Sequence, residues 1–161
     1  MTTATAQAAA LTPQTRRLLE EKFGKSVIAA GYTVLPTVVL KYQQRLELDP
    51  LDINLLMHLL SYWWQKETLP HPGKKALALA VGVDPSTVRR RLKALEERGF
   101  IKRHPRRSSN KSSQTNLYDL TGLIQKLEPL AAEEHEEIRK RKARQMARLA
   151  GKKPGLQLVK S

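Results

Sequence analysis

The chain has 161 residues, of which 40% are hydrophobic, so it is long enough for one core but short for two domains of ordinary size. Because it contains no cysteine, disulfide frameworks, thiolate zinc sites and cysteine nucleophiles are excluded. The formal net charge is +14, and residues 101–161 hold 15 Lys or Arg against 6 Asp or Glu.

The positive charge of the second half favours a polyanionic partner such as nucleic acid, although an anionic membrane surface or a solubilising tail would also explain it. The opening stretch MTTATAQAAA lacks the charged start and apolar run of a secretory signal, and no apolar stretch is long enough to span a bilayer. We therefore expect a cytoplasmic protein without membrane contact, in which residues 1–11 are disordered.

The first predicted helix begins at Thr12, which is a favourable N-cap, and at Pro13, which suits the first helical position. Its apolar residues end near Gly24. The following stretch VIAAGYTVLP is rich in β-branched residues and contains Gly31 and Pro36, a pattern that indicates a brief strand or extended segment. We then expect a helix over residues 37–46.

Three further helices are predicted between residues 49 and 98. Asp49 and Pro50 repeat the pair of N-cap residue and proline that begins the first helix. Leucines at three- and four-residue spacing make this stretch the candidate for the central core helix. The segment KKALALAV predicts a second helix that ends at Gly82. Asp84 and Pro85 start the third helix, which runs to Arg98 and is stopped by a glycine.

The period of the pattern changes after Gly99. FIKRH and TNLYDL predict two short strands, joined by the ten-residue polar loop PRRSSNKSSQ into a hairpin. Helical spacing returns in LTGLIQKLEPLA, where we expect Pro129 to bend or interrupt the helix. The acidic block EEHEE and the basic block RKRKARQMAR then predict an exposed helix.

The third helix of this series has two different faces. At 100° per residue, Val88, Leu92 and Leu95 share the face that would pack inward. The outward and flanking positions carry hydroxyl and basic side chains, which suit phosphate oxygens and the edges of guanine in a major groove. These are Ser86, Thr87, Arg89, Arg90 and Lys93.

The run ALALAVGVDPSTVRRRLKALEERGFIKR, followed by a basic hairpin and NLYDLTGLI, resembles bacterial winged helix-turn-helix proteins. It is most similar to the helix-turn-helix family of transcriptional regulators and of plasmid and phage replication initiators, over about residues 50–124. The resemblance implies a mainly α fold, in which a three-helix core and a small β-hairpin wing are flanked by N- and C-terminal helices.

What the resemblance implies about function is binding of double-stranded DNA. The recognition helix, residues 85–98, would lie in the major groove and the wing, residues 104–114, on the backbone or minor groove. The implied DNA-binding residues are Ser86, Thr87, Arg89, Arg90 and Lys93 on the recognition helix and Arg103, Arg106, Arg107 and Lys111 on the wing. Nothing after residue 124 resembles a ligand-binding or replication domain, so we expect no small-molecule effector.

These observations predict a small bacterial transcriptional regulator that associates with the nucleoid. A replication or partition accessory factor of a plasmid or other mobile element is the alternative within DNA binding, and a protein-interaction adaptor is the alternative of another class. The four histidines are widely separated, so we expect no metal, no cofactor and no enzyme activity.

The chain is divided by prediction into three regions. Residues 1–48 form the N-terminal extension, residues 49–120 the winged helix-turn-helix domain, and residues 121–161 a C-terminal helix and basic tail. We expect a homodimer, because paired modules bind two half-sites. Candidate interfaces are the flanking helices over residues 16–23, 37–46 and 120–130, with the tail after Glu133 adding non-specific DNA affinity.

Overall fold

The computed structural model describes residues 12–106 and 115–151. In these residues the chain is mainly helical and has one small sheet, as predicted. The helices are α1 (Pro13–Phe23), α2 (Lys25–Ala30), α3 (Thr37–Lys41), α4 (Pro50–Ser61), α5 (Lys74–Val81), α6 (Pro85–Glu97) and α7 (Thr121–Gly151), and the strands are β1 (Lys102–His104) and β2 (Leu117–Asp119).

The predicted caps start three of these helices. The side chain of Thr12 accepts a hydrogen bond from the backbone N–H of Thr15, and that of Asp84 accepts one from the backbone N–H of Ser86. Asp49 and Asp52 cap α4 reciprocally, each carboxylate accepting the other residue's backbone N–H. In all three cases a proline follows the cap, where its missing N–H costs nothing.

One hydrophobic core unites the helices and the hairpin. The central helix α4 contributes Leu55, Leu56 and Leu59, which have no exposed surface. Around them pack residues from α3, from α5 and α6, from the hairpin and from the first half of α7. These are Val39, Leu77, Ala78, Val88, Leu92, Leu95, Phe100, Ile101, Tyr118, Leu120, Leu123 and Leu127.

The two predicted strands pair antiparallel, with Arg103 opposite Tyr118. The buried ring of Tyr118 fixes the hairpin to the core, and its backbone N–H donates to the carbonyl of Pro70 in the connection between α4 and α5. The hairpin therefore leaves the core in a defined direction. Its predicted tip, residues 107–114, lies outside the described residues, as does the N-terminal stretch that was expected to be disordered.

The stretch VIAAGYTVLP was predicted wrongly, because residues 25–30 form the helix α2 and only the part after Gly31 is extended. Its alanines favour a helix, and the glycines at positions 24 and 31, with φ of 90° and 126°, confine that helix to six residues. Helix α3 is also shorter than expected, since it ends at Lys41 rather than at residue 46.

Pro129 does not interrupt α7, which runs through it to Gly151. A proline removes one helical hydrogen bond and leaves the carbonyl four residues earlier without a partner. Pro129 and Gln125 both lie on the exposed side of α7, so water can hydrate that carbonyl. No helix of residues 12–106 and 115–151 combines the length and the apolar composition needed to cross a membrane.

Candidate nucleic-acid interface

The turn between α5 and α6 is built from small residues. Gly82 adopts the left-handed conformation at φ 75° and ψ 33°, which costs a residue with a Cβ more than it costs glycine. The backbone N–H groups of Gly82 and Val83 both donate to the carbonyl of Ala78, at 2.9 and 3.0 Å. Ala78 itself is buried, so its small side chain lets α5 and α6 approach closely. The turn therefore fixes the crossing of the two helices.

Asp84 defines where the recognition helix begins. Its carboxylate accepts a hydrogen bond from the backbone N–H of Ser86 at 2.7 Å. Hydrogen bonds from the side chain and backbone of Ser86 hold the pKa of Asp84 below its usual value, so the cap is ionised at neutral pH. A negative charge at a helix N-terminus also interacts favourably with the helix dipole.

The recognition helix presents the predicted side chains to solvent. Val88, Leu92 and Leu95 have no exposed surface, as the helical spacing predicts. Thr87 is half-buried, and Lys93 lies 3.3 Å from Glu97 in an exposed ion pair. Ser86, Arg89, Arg90 and Lys93 are all exposed. The structure thus brings the five predicted residues of this helix onto one accessible side, and their contact with DNA stays a prediction.

Arg91, the last of the three consecutive arginines at positions 89–91, has a different environment from the other two. Arg91 places Nη1 2.5 Å from the carboxylate of Asp49 and 3.8 Å from that of Asp52. Asp52 is 2% exposed and also receives Nη1 of Arg98 at 3.3 Å. Arg98 further donates from Nη2 to the carbonyls of Leu46 and Glu47, both at 2.6 Å. The recognition helix is therefore tied to α4 at two points seven residues apart.

Sequence reasoning missed this network, although a signal for it exists. Arg91 and Arg98 are seven residues apart, which places both on one edge of the apolar face of the helix. Asp49 was predicted only as a helix cap. The structure confirms that role and adds a second one, because Asp49 and Asp52 also hold the two arginines.

The wing residues have three different placements. Arg103 donates from Nε to Glu96 at 2.6 Å, and its backbone N–H donates to the same carboxylate at 2.8 Å. Burial raises the pKa of Glu96, but the bonds from Arg103 outweigh it and the net shift is downward. Arg106 is half-buried at the end of the described part of the hairpin. Arg107 and Lys111 lie outside the described residues.

A cleft of about 560 Å³ lies between the N-terminal ends of α5 and α6 and the start of β2. Arg89 lines it together with Lys74 and Lys75, which sequence reasoning did not single out. Thr115 and Asn116 add neutral hydrogen-bonding groups from the hairpin. The pair of lysines directly after Gly73 could have indicated this cleft from the sequence, because basic residues beside a helix that is predicted to enter a DNA groove suit backbone phosphates.

The same region offers no grouping for metal chemistry. Among residues 12–106 and 115–151, no three His, Asp or Glu side chains lie together in a way that could hold a metal ion. What the arrangement provides is hydroxyl and cationic donors on a fixed helix, beside a cleft with further cations.

A known family of domains and several solved structures are similar to this chain. Residues 46–101 match the family model of a helix-turn-helix domain. The fold is similar to the N-terminal domain of the DnaD protein from Geobacillus kaustophilus HTA426, at 21% identity and a TM-score of 0.51, covering 71% of this chain and 93% of that one. A sequence comparison with curated proteins finds no match.

Two further solved structures are similar at lower TM-scores. A possible transcriptional regulator from Methanosarcina mazei Go1 has 16% identity and a TM-score of 0.42, and the match covers 67% of this chain and 85% of that one. A MarR-family transcriptional regulator from Silicibacter pomeroyi has 19% identity and a TM-score of 0.37, with 78% and 84% covered. The matched helices and the described hairpin show that the chain carries a helix-turn-helix domain of the winged kind.

Proposed function

We propose that the protein binds duplex DNA sequence-specifically and acts as a small bacterial transcriptional regulator in the cytoplasm. The observation that carries this proposal is the division of α6 into a bound and a free side. Arg91 and Arg98 hold the helix on α4, while Arg89 and Arg90 point to solvent. A fixed helix with free cations can present the same donors to each base pair it meets, which sequence readout requires.

In the proposed complex α6 lies in the major groove. Arg90 lies opposite the buried face and is placed to donate two hydrogen bonds to the edge of a guanine. Lys74 and Lys75 border the cleft beside α6 and would contact the flanking phosphates. Arg106, with Arg107 and Lys111, extends this contact along the wing. Arg103 contributes to the wing mainly by fixing the hairpin through Glu96.

The proposal leaves no role for catalysis or for a cofactor, and we expect neither. The division into an extension over residues 1–48, the winged domain over residues 49–120 and the C-terminal region over residues 121–161 is part of the proposal. The core nevertheless includes Val39 and Leu127, so both flanks pack against the winged domain.

The test is selection of bound sequences from random duplex DNA by the full chain at physiological salt. We expect one enriched motif, because Arg89 and Arg90 read base edges. Enrichment of no motif, with retained DNA binding, would reject the sequence-specific role. Absence of binding to any duplex would reject DNA binding and favour the interaction-adaptor alternative.

We also propose that the protein forms a homodimer through its N-terminal helices. Five large apolar side chains in this part of the sequence are at least half exposed, and they are Leu18, Phe23, Val27, Val34 and Leu40. By contrast, Leu120, Leu123, Leu127 and Leu130 of the C-terminal candidate stripe are buried within their own chain. The N-terminal helices therefore have more exposed apolar surface to offer a second copy than residues 120–130 have.

Sedimentation of the full chain and of the Phe23→Ser/Val27→Ser variant tests this assignment. We expect a dimeric full chain and a variant that dissociates at the same protein concentration. Ile138→Ser is the matched control, since Ile138 is an exposed apolar residue on the other flank. A monomeric full chain would contradict the dimer, and dissociation of only the control would move the interface to α7.

A further inference from the structure

The second half of α7 is a cluster of exposed cations. From residue 137 to residue 151 every side chain is exposed. This stretch contains no carboxylate after Glu137. Its six cations are Arg139, Lys140, Arg141, Lys142, Arg144 and Arg148. The stretch is thus strongly positive and makes little contact with the rest of the described chain.

The base of this stretch is fixed to the N-terminal flank. Glu133 accepts a hydrogen bond from Nη2 of Arg45 at 2.9 Å. Glu134 accepts one from the hydroxyl of Tyr42 at 2.8 Å and forms an ion pair with Lys41. At 1.5 Å per residue, the part of α7 beyond these contacts extends for about 25 Å. The cations are therefore carried on an arm with an anchored start.

The cations of this arm differ in whether they already have a partner. Arg139 and Lys140 form ion pairs with Glu136, one turn earlier. Within the described residues, Arg144 and Arg148 form no ion pair. Arg141 lies on the same side of α7 as Arg144 and Arg148, because the three arginines follow one another at intervals of three and four residues. Together with Gln145 they border one open surface of this helix.

The distribution of charge around the helix selects the kind of polyanion. A helix that lies on a membrane needs one face free of charge. Here Lys142 lies on the same side as Ile138 and Leu149, at 100° per residue, so the apolar side is interrupted by a cation. Cations on both flanks of a helix suit a DNA groove, whose two walls both carry phosphates.

We infer that residues 139–148 form a second, sequence-independent DNA contact, in which the stripe of Arg141, Arg144 and Arg148 neutralises backbone phosphates. This inference rests on the proposed function. The three arginines span seven residues, or about 10 Å along the helix, which is enough for contacts to successive phosphates. Each phosphate neutralised adds about 0.9 to the slope of log affinity against log salt.

The stripe is tested by the variant Arg141→Gln/Arg144→Gln/Arg148→Gln of the full chain. Glutamine removes the charge and has nearly the same helix propensity as arginine. The control is Lys66→Gln/Lys126→Gln, which removes two charges from exposed positions outside both the stripe and the proposed dimer interface. Affinity for a long duplex of random sequence is measured over a range of salt concentrations, and circular dichroism checks that both variants keep their helix content.

We expect the slope to fall by about 2 to 3 in the stripe variant and by less than about 1 in the control. An unchanged slope, or an equal fall in both variants, would overturn the inference. A second arm uses phosphatidylserine vesicles: loss of vesicle binding in the stripe variant without a change in the DNA slope would identify a membrane surface instead. Failure of the proposed function is seen separately, since a chain without that function would select no motif even if the slope changes.

Discussion

The recognition helix and the second half of α7 are both rich in cations, but they differ in where the nearest carboxylates lie. Arg91 in α6 and Arg98 at its C-terminal end are held by Asp49 and Asp52 at the start of α4, and this attachment leaves the neighbouring arginines free on a fixed support. In α7, Arg144 and Arg148 have no ion-pair partner among the described residues. The number of cations on a helix therefore does not show whether the helix can read bases. The position of the nearest carboxylates does separate the basic side chains that fix a helix from those that are free to contact DNA.

The largest expected effect follows from removing the carboxylate that holds α6. Asp52→Ala should lower the free energy of unfolding by about 2 to 4 kcal/mol, below the 3 to 5 typical of a fully buried pair, because Arg91 and Arg98 keep about a third of their surface in water. Urea unfolding of the full chain and of the variant measures this change in the free energy of unfolding. The control Glu137→Ala, on the arm, should change stability by less than about 0.5 kcal/mol. Equal effects of the two substitutions would remove the contrast between the helices.

A smaller effect is expected on the free side of α6. Arg90→Ala should weaken binding to the selected site by about 1 to 3 kcal/mol and relax the preference at one base pair, while binding to random DNA changes little. Arg17→Ala is the control, since Arg17 is an exposed arginine on α1. Fluorescence anisotropy with both duplexes gives the ratio of the affinity for the selected site to the affinity for random DNA. If both duplexes lose affinity equally, Arg90 contacts a phosphate and reads no base.

The place where the end of α6 meets the start of α7 gives the next effect. A Cβ on Gly122 would lie 2.2 Å from the carbonyl oxygen of Gly99, so Gly122→Ala must push the two elements apart. We expect a loss of about 1 to 2 kcal/mol, since overpacking costs about 1 to 3 and alanine regains part through helix propensity. Gly151→Ala meets no atom within 4 Å and should not destabilise the chain. Thermal unfolding of both variants measures the difference.

The smallest effect concerns the anchor of the arm and depends on pH. Hydrogen bonds from Lys41 and Tyr42 hold the pKa of Glu134 below its usual value, and a hydrogen bond from Arg45 does the same for Glu133. Their contribution is complete above the ordinary glutamate pKa of about 4.3 and is lost as the pH falls through the lowered values.

Hydrogen exchange should therefore show weaker protection of α3 on acidification below about pH 4. Glu134→Gln should show the weaker protection already at neutral pH. Glu128→Gln serves as the control, because Glu128 is an exposed glutamate on the same helix and forms no ion pair within the described residues. Protection of α3 that is independent of pH in the full chain would mean that these bonds do not hold the arm.

The sequence predicted those parts of the fold that depend on neighbouring residues. A cap followed by a proline marks a helix start locally, so Thr12, Asp49 and Asp84 were sufficient. The face of α6 followed from its spacing. The stretch after Gly24 was predicted wrongly because β-branched residues and alanines compete there, and the flanking glycines, rather than the β-branched residues, set its limits.

The candidate site was predictable only in part, because its remaining contacts join distant residues. Nothing within one turn of Arg91 shows that its partners are Asp49 and, at a longer distance, Asp52, which lie at the start of another helix. Similarly, Arg103 is drawn to Glu96 across the turn at Gly99, which the spacing of the strand does not show. The exposure of Arg89 and Arg90 agrees with the prediction, and their contact with DNA stays a prediction.

The unbroken course of α7 through Pro129 has a mechanical consequence. Among residues 12–106 and 115–151, the contacts that hold this helix of 31 residues lie in its first half, so it acts as a lever with its fulcrum near Glu133 and Glu134. Over the free length of about 25 Å, a rotation of about 10° at the fulcrum displaces the far end by about 4 Å. A small adjustment of α3 against α7 is thereby amplified into a displacement comparable to the distance between neighbouring base pairs.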